Sequence, residues 1–281
     1  MIIDAHQHFW DPARGDYGWL KPDNPIHRVY APADLRPLMV DAGVDATVLV
    51  QAAPTPEETD YMLGIARQTP WILGVVGWID LEARDAADEI RRRAGDPLFL
   101  GVRPMLQDLP DHDWILRPHL VPALEAIAAN GLVFDALILS HQIAAIVELA
   151  KRHPQLSIVL DHAAKAPLGD ADAMASWAPM MEALARLPNV TCKVSGLLTE
   201  LKAGGSRGDV ARAIGVLFDF FGPERLLWGS DWPVLTLAGS YGDWFELAHG
   251  AIATKDPGAI PAIMGGNAGC IYRPKVRHIP A

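Results

Sequence analysis

Eight short apolar runs, each followed by a stretch with helical spacing, constrain this chain more than any other feature. They are residues 2–5, 46–51 (ATVLVQ), 72–79 (ILGVVGWI), 98–102 (LFLGV), 132–135 (LVFD), 157–161 (SIVLD), 190–195 (VTCKVS) and 225–229 (RLLWG). None alternates cleanly between apolar and polar residues, which is the pattern of strands covered on both faces, as in a parallel sheet. The helical stretches between them are residues 33–42, 57–69, 83–95, 119–130, 143–153, 173–187 and 210–221, and 244–254 and 257–264 close the chain. Pro32 before the first of these and Gly43 after it mark its two ends. Strict alternation of eight strands with helices predicts an α/β fold, a (β/α)8 TIM barrel, as one domain over residues 1–281, with an open doubly wound sheet as the structural rival. Residues 9–32, rich in Trp, Tyr, His and Pro, form an extended loop directly after the first strand, so they are expected to cover the mouth of the barrel.

Composition narrows the function classes. Of 281 residues 50% are hydrophobic, enough for one large core. The net charge is -10 and no basic run is longer than Arg91–Arg93, so a nucleic-acid partner is not expected. Two cysteines, Cys192 and Cys270, supply neither a disulfide framework nor a cysteine-rich metal site. No apolar stretch reaches the roughly 18–20 residues of a membrane span, and no secretory leader is visible, so a soluble cytoplasmic protein is expected. Self-association is open, because no feature fixes the number of subunits. A Gly-x-Ser-x-Gly nucleophile turn, a dinucleotide fingerprint and a phosphate loop are all missing, which disfavours serine-hydrolase, nicotinamide and nucleotide chemistry; no organic cofactor is expected.

The polar residues sit where a barrel would use them. Side chains at the C-terminal ends of barrel strands face the site. There the sequence carries His6 and His8, Gln51, Trp78 and Asp80, Arg103, Asp135, Asp161 and His162, Lys193 and Ser195, and Asp231. His6 and His8 are two residues apart and can point the same way on an extended chain. A buried Lys193 is costly without a partner, which favours a role in the site. Arg103 offers a fork for a carboxylate, hydroxyl or carbonyl oxygen, or else ties loops together. Asp161 reads as the orienter of a histidine, and Asp135 as structural. Trp78 and Trp232 lie near the mouth and could wall a sugar-sized pocket. His27 and Tyr30 are positioned for a lid. Lys165 is a weaker candidate, with a solvent-facing alternative.

At these residues the sequence resembles the amidohydrolase superfamily, and within it the amidohydrolase-2 branch of sugar-acid lactonases. The likeness is carried by Asp4-Ala5-His6-Gln7-His8-Phe9-Trp10, Gly101-Val102-Arg103, Leu160-Asp161-His162-Ala163-Ala164-Lys165, Cys192-Lys193-Val194-Ser195-Gly196-Leu197, Gly229-Ser230-Asp231-Trp232 and Gly265-Gly266-Asn267-Ala268, which span nearly the whole chain. The resemblance implies hydrolysis of an aldono-lactone, L-fucono-lactone in the first place, by water attack on the carbonyl. Metal-dependent decarboxylation of an aromatic or unsaturated acid, or hydrolysis of a muconolactone-type ring, are the alternatives.

The resemblance also implies that His6, His8, His162 and Asp231 are the ligands if a metal is bound. Asp135 and Lys193 stand where two-metal relatives carry ligands, so one zinc ion, or none, is expected. On this reading Asp231 is the base. His6 and His8 polarise the carbonyl, and His162 or Lys193 stabilises the oxyanion. Arg103, Gln51, Trp78, Ser195, His27, Lys165 and Trp232 bind the substrate.

Overall fold

The structure, a computed structural model, describes residues 1–272; residues 273–281 of the expected domain lie outside the described residues. Eight strands follow one another around a single sheet: β1 (Ile3–Gln7), β2 (Ala46–Val50), β3 (Ile72–Gly77), β4 (Phe99–Val102), β5 (Val133–Ala136), β6 (Ser157–Leu160), β7 (Val190–Val194) and β8 (Leu226–Trp228). Every neighbouring pair is parallel. The seam between first and last strands is tied by Asp231 N–H donating to His6 O at 2.8 Å and His8 N–H donating to Trp232 O at 2.8 Å. This is the (β/α)8 barrel, and the open sheet is excluded.

The helices α1 (Pro32–Asp41), α2 (Pro56–Gln68), α3 (Ala86–Ala94), α4 (Val121–Ala129), α5 (Ile143–Arg152), α6 (Ala171–Ala185), α7 (Arg207–Phe221) and α8 (Tyr241–Lys255) wrap the sheet. Their starts are chemically marked: Thr55 accepts from Glu58 N–H ahead of α2, Asp170 from Ala173 N–H ahead of α6, and Ser240 from Asp243 N–H ahead of α8. Among the described residues no helix is long and apolar enough to cross a membrane.

Two apolar layers result. Ile3, Ala5, Val48, Val50, Leu73, Val76, Leu100, Val133, Val159 and Leu227 form a compact inner cluster. A larger one, including Trp177, Trp228, Trp244 and Phe134, packs helices against strands.

The chain end departs from expectation. Instead of a helix over 257–264, a short 3-10 turn (Pro257–Ala259) leads into a wide turn (Ala262–Gly266) and then α9 (Asn267–Tyr272). The break has a steric cause. A Cβ on Gly265 would lie 2.3 Å from Met1 O and 3.0 Å from Ile3 N, so only glycine lets the chain pass the start of β1. Beyond it, Ala268 and Tyr272 join the inner cluster.

The loop over residues 9–32 is organised by aromatic rings. Trp10 and Tyr30 exchange backbone hydrogen bonds at 3.2 and 2.9 Å. Trp10 meets Trp19 edge-on at 5.3 Å between centroids, and Tyr30 meets Trp232 at 5.1 Å.

Candidate active site

The register of β1 against β2 slips between Asp4 and Gln7. Asp4 at the start of the slip is anchored by three donors: His6 N–H at 3.1 Å, Ser230 N–H at 2.8 Å and the Tyr241 hydroxyl at 3.0 Å. With the strand so fixed, His6 and His8 both reach the barrel mouth. His6 Nε2 lies 3.2 Å from His8 Nε2, and His8 Nε2 lies 3.2 Å from Asp231 Oδ1. His6 Nε2 and His162 Nε2 are each 3.7 Å from that same oxygen.

Each imidazole is set by a second contact. His8 Nδ1 lies 2.8 Å from Val50 O, which can only accept, so Nδ1 carries a proton and Nε2 is the ring atom that faces the Asp231 carboxylate. At 3.2 Å that contact calls for a shared proton or a cation between the two atoms. His162 Nδ1 is 2.9 Å from Ser195 Oγ. His6 Nδ1 lies 3.3 Å from Asp161 Oδ1 and 3.0 Å from Lys193 Nζ. Burial, and then the Lys193 charge, hold His6 well below the ordinary histidine value. Burial likewise lowers His162. Burial by itself would raise the Asp231 carboxyl, but the facing imidazoles of His162, His8 and His6 outweigh it, and the group is held below the usual carboxylate range.

Imidazole nitrogens around an ionised carboxylate are a donor set that can hold a metal ion. Zinc at about 2.0–2.1 Å from each donor of a tetrahedron separates the donors by about 3.3 Å; His6 Nε2, His8 Nε2 and Asp231 Oδ1 are 3.2–3.7 Å apart, and His162 Nε2 stands 3.7 Å from the same Asp231 oxygen. His6, His8 and Asp231 therefore fit a divalent ion, with His162 as a further donor beside Asp231; a second metal-capable group joins His6 and His162 through Asp161.

Beside this cluster opens a cavity of about 220 Å³. His8, Arg103, His162, Lys165 and Asp231 of the expected set line it. The other expected residues sit elsewhere. Lys193 is fully enclosed: its ammonium is 2.5 Å from Asp135 Oδ2 and 2.9 Å from Asp161 Oδ1, so its charge is already matched and it does not reach the cavity as an oxyanion donor would. His6 is also wholly buried, behind His8. Gln51 supports Arg103, donating from Nε2 to Arg103 O at 2.7 Å while Gln51 O accepts from the guanidinium. Ser195 contacts His162 and is fully buried.

Trp78 lies on a different cavity with Asp80 and Glu89, because Thr59 Oγ1 captures both its backbone N–H (2.9 Å) and its carbonyl (3.1 Å) and β3 ends a residue earlier, at Gly77. Trp232 packs against Phe9 and Tyr30 behind the wall. His27 is half-buried, with its backbone tied to Asn24 O, and does not line the cavity.

Several wall residues carried no signal in the sequence. Trp19, not His27, reaches the cavity from the long loop, pinned by Nε1–H donating to Ala52 O at 2.7 Å. Gln107, Thr199 and Glu200 also line it. Below the site, Tyr272 donates its hydroxyl to Asp135 at 2.9–3.0 Å, completing a buried polar column through Lys193 to Asp161 and Arg103. Asp161 would be raised by burial, yet Lys193, His6 and Arg103 hold it well below the ordinary range, so it stays ionised.

Known proteins resemble this chain in sequence and in fold. The chain is 45% identical to an L-fucono-1,5-lactonase of Burkholderia ambifaria, over 96% of this chain and 95% of the relative. It is 35% identical to an L-fucono-1,5-lactonase of Burkholderia multivorans, over 97% and 96%. A crystal structure of an amidohydrolase from Burkholderia multivorans with bound zinc superposes with a TM-score of 0.92 at 33% identity, covering 97% of this chain and 99% of that one. The family profile described as Amidohydrolase matches residues 3–273. With a closed parallel barrel whose strand ends bring His6, His8, His162 and Asp231 together, the chain belongs to the amidohydrolase family.

Proposed function

We propose that the protein is a lactonase of carbohydrate metabolism, hydrolysing a sugar-acid lactone, L-fucono-1,5-lactone first among them, to the open-chain acid. The observation that carries this reading is the ionised Asp231 carboxylate at the centre of three imidazoles on the wall of a small cavity. The names of the two relatives with full-length similarity point the same way.

A lactone is an activated ester, so three events suffice: a proton leaves water, charge on the carbonyl oxygen is stabilised, and the ring oxygen gains a proton. Asp231, ionised at neutral pH, accepts the proton of the attacking water. As the water oxygen bonds to the carbonyl carbon, negative charge develops on the carbonyl oxygen, and the Arg103 guanidinium on the cavity wall opposes it. The ring C–O bond then breaks, and the proton held by Asp231 passes to the departing alkoxide. His6, His8, His162 and Asp231 would hold one divalent ion, for which zinc suits the nitrogen-rich donor set. When bound, such an ion supplies Lewis-acid polarisation of the carbonyl and a more acidic water. Asp161 orients His6, Ser195 orients His162 and Val50 O orients His8. The exposed free thiol of Cys270 suits a reducing compartment, which supports a cytoplasmic reading.

The test is acid release from a panel of aldono-1,4- and 1,5-lactones, with Asp231→Asn alongside. Turnover is expected to fall by about 10²–10⁴-fold in the variant, with thermal stability close to wild type. Wild-type rates in Asp231→Asn would remove this residue from the chemistry, and a wild-type protein inert on every lactone would sink the reading.

A further inference from the structure

We propose that the Lys165–Glu200 ion pair, assisted by Gln107, is the element that reads the hydroxyl groups of the lactone and so determines its stereochemistry. This rests on the lactone-hydrolase reading above. Because the strands run in order around the barrel, the loop that carries a residue gives its place on the rim. Val234, Trp19 and Ala52 follow β8, β1 and β2 and form an apolar arc. Lys165 and Glu200 follow β6 and β7 on the opposite side, and Gln107 follows β4, where Met105 and, after β5, Leu137 add apolar surface. The ion pair and the amide are thus the polar groups that the loops after β4, β6 and β7 set into a rim that also carries apolar side chains.

The loop after β6 is built at a conformational cost. His162, Ala163, Ala164 and Lys165 have φ of 51°, 50°, 53° and 52°, four consecutive L-residues in the left-handed region. Such conformations are unfavourable and persist where the surroundings impose them, typically at functional sites. Here Lys165 N–H closes the turn on His162 O at 2.8 Å, and Trp177 Nε1–H clamps Ala163 O at 2.9 Å. The turn brings the His162 imidazole and the Lys165 ammonium into one cavity from positions three residues apart.

Lys165 Nζ then meets Glu200 Oε1 at 3.1 Å, with both side chains about one-quarter exposed (26% and 25%). Among the described residues neither group has another hydrogen-bond or ion-pair partner, so two ammonium protons and a carboxylate oxygen remain for a ligand. Gln107 adds a buried Oε1 with no hydrogen-bond partner on the same wall, its loop fixed by Gln107 N–H donating to Leu137 O at 3.0 Å. A buried acceptor left unmatched is costly unless a ligand donor completes it. A donor–acceptor pair and an unmatched acceptor lining one cavity suit a ligand with several hydroxyls, each of which both donates and accepts. Trp19, held by Ala52 O, offers a fixed apolar surface to the ring carbons that carry no hydroxyl. The ligand class is a polyhydroxylated lactone with one deoxygenated edge.

The experiment compares kcat/KM on L-fucono-1,5-lactone with that on unsubstituted δ-valerolactone, in wild type, Glu200→Gln, Lys165→Met and Gln107→Leu. The ratio of the two is expected to fall by about tenfold or more in each variant, as loss of hydrogen bonds to a charged or buried group implies. Equal losses on both lactones would show that the pair only shapes the loops, and would overturn the proposal. If wild type hydrolyses neither lactone, the lactonase reading itself fails. Should a single variant not fold, Lys165→Met combined with Glu200→Met leaves no charge unmatched and carries the same test.

Discussion

Glu58 offers a test of how the site's scaffold is held, through pH. It lies in the first turn of α2, is buried, and its carboxylate accepts from Ala52 N–H at 3.0 and 3.1 Å and from Ala53 N–H at 2.7 Å. Ala52 in turn holds Trp19 over the cavity. Burial pushes the Glu58 carboxyl up from 4.5 to about 7, against the opposing pull of the two backbone donors. The folded chain therefore binds this proton more tightly than the unfolded chain does. The resulting stabilisation is fully present below pH 4.5 and is lost as pH rises through about 7. At about 1.4 kcal/mol for each pH unit between those values, the loss is about 3 kcal/mol, or about 5 °C in melting temperature for a chain of this length.

Other groups titrate in the same range, so the quantity to measure is the difference in unfolding free energy between wild type and Glu58→Gln, by urea titration from pH 4.5 to 8. Glutamine keeps one acceptor and does not titrate there. The wild-type advantage is expected to shrink by about 3 kcal/mol across the window. A difference that stays flat with pH would refute the assignment of burial as the dominant force on this carboxyl.

Further outcomes follow from the geometry around the imidazoles. Gly196→Ala, at φ +64° and with its Cβ 2.6 Å from His162 Nδ1, should destabilise the fold by about 1–3 kcal/mol in chemical denaturation; wild-type stability would deny the contact. Ser195→Ala removes the partner of His162 Nδ1 and should weaken divalent-metal affinity by about 10–100-fold in a competition titration with a chromogenic chelator. Metal analysis of the zinc-loaded protein should find one ion per chain, with His8→Ala and His162→Ala each lowering the occupancy; unchanged occupancy in both would place the ion elsewhere.

The residues legible in the sequence share one property: they interrupt apolar runs at strand ends. His6, His8, Arg103, His162 and Asp231 could be read that way because a barrel strand has one functional end, and the structure gathers all five at the mouth. Residues whose position depends on a loop could not. Trp78 looks like a strand-end aromatic, but Thr59, on the neighbouring helix, takes both of its backbone groups and turns it to another cavity. Trp19 and Gln107 sit in segments with no periodicity to read. Tyr272 is 137 positions from the Asp135 it contacts, and no local pattern encodes that meeting.

Lys193 shows how a correct rule can lead to a wrong location. A buried lysine does require a partner, and the cavity is not the only place to find one. Its partners, Asp135 on β5 and Asp161 just past the end of β6, lie with Tyr272 below and Arg103 beside. Two buried cations against Asp135 and Asp161 leave the inner column without excess negative charge. Asp231 then remains the carboxylate that faces the imidazoles and the cavity. Replacing Lys193 by a neutral residue would leave Asp135 and Asp161 close together with too little positive charge. One of them would have to take up a proton or a cation, and the orientation of His6 would change with it. If Asp231 is the base, the enclosed lysine would act on the reaction from behind the site, by fixing which carboxylate is free to act.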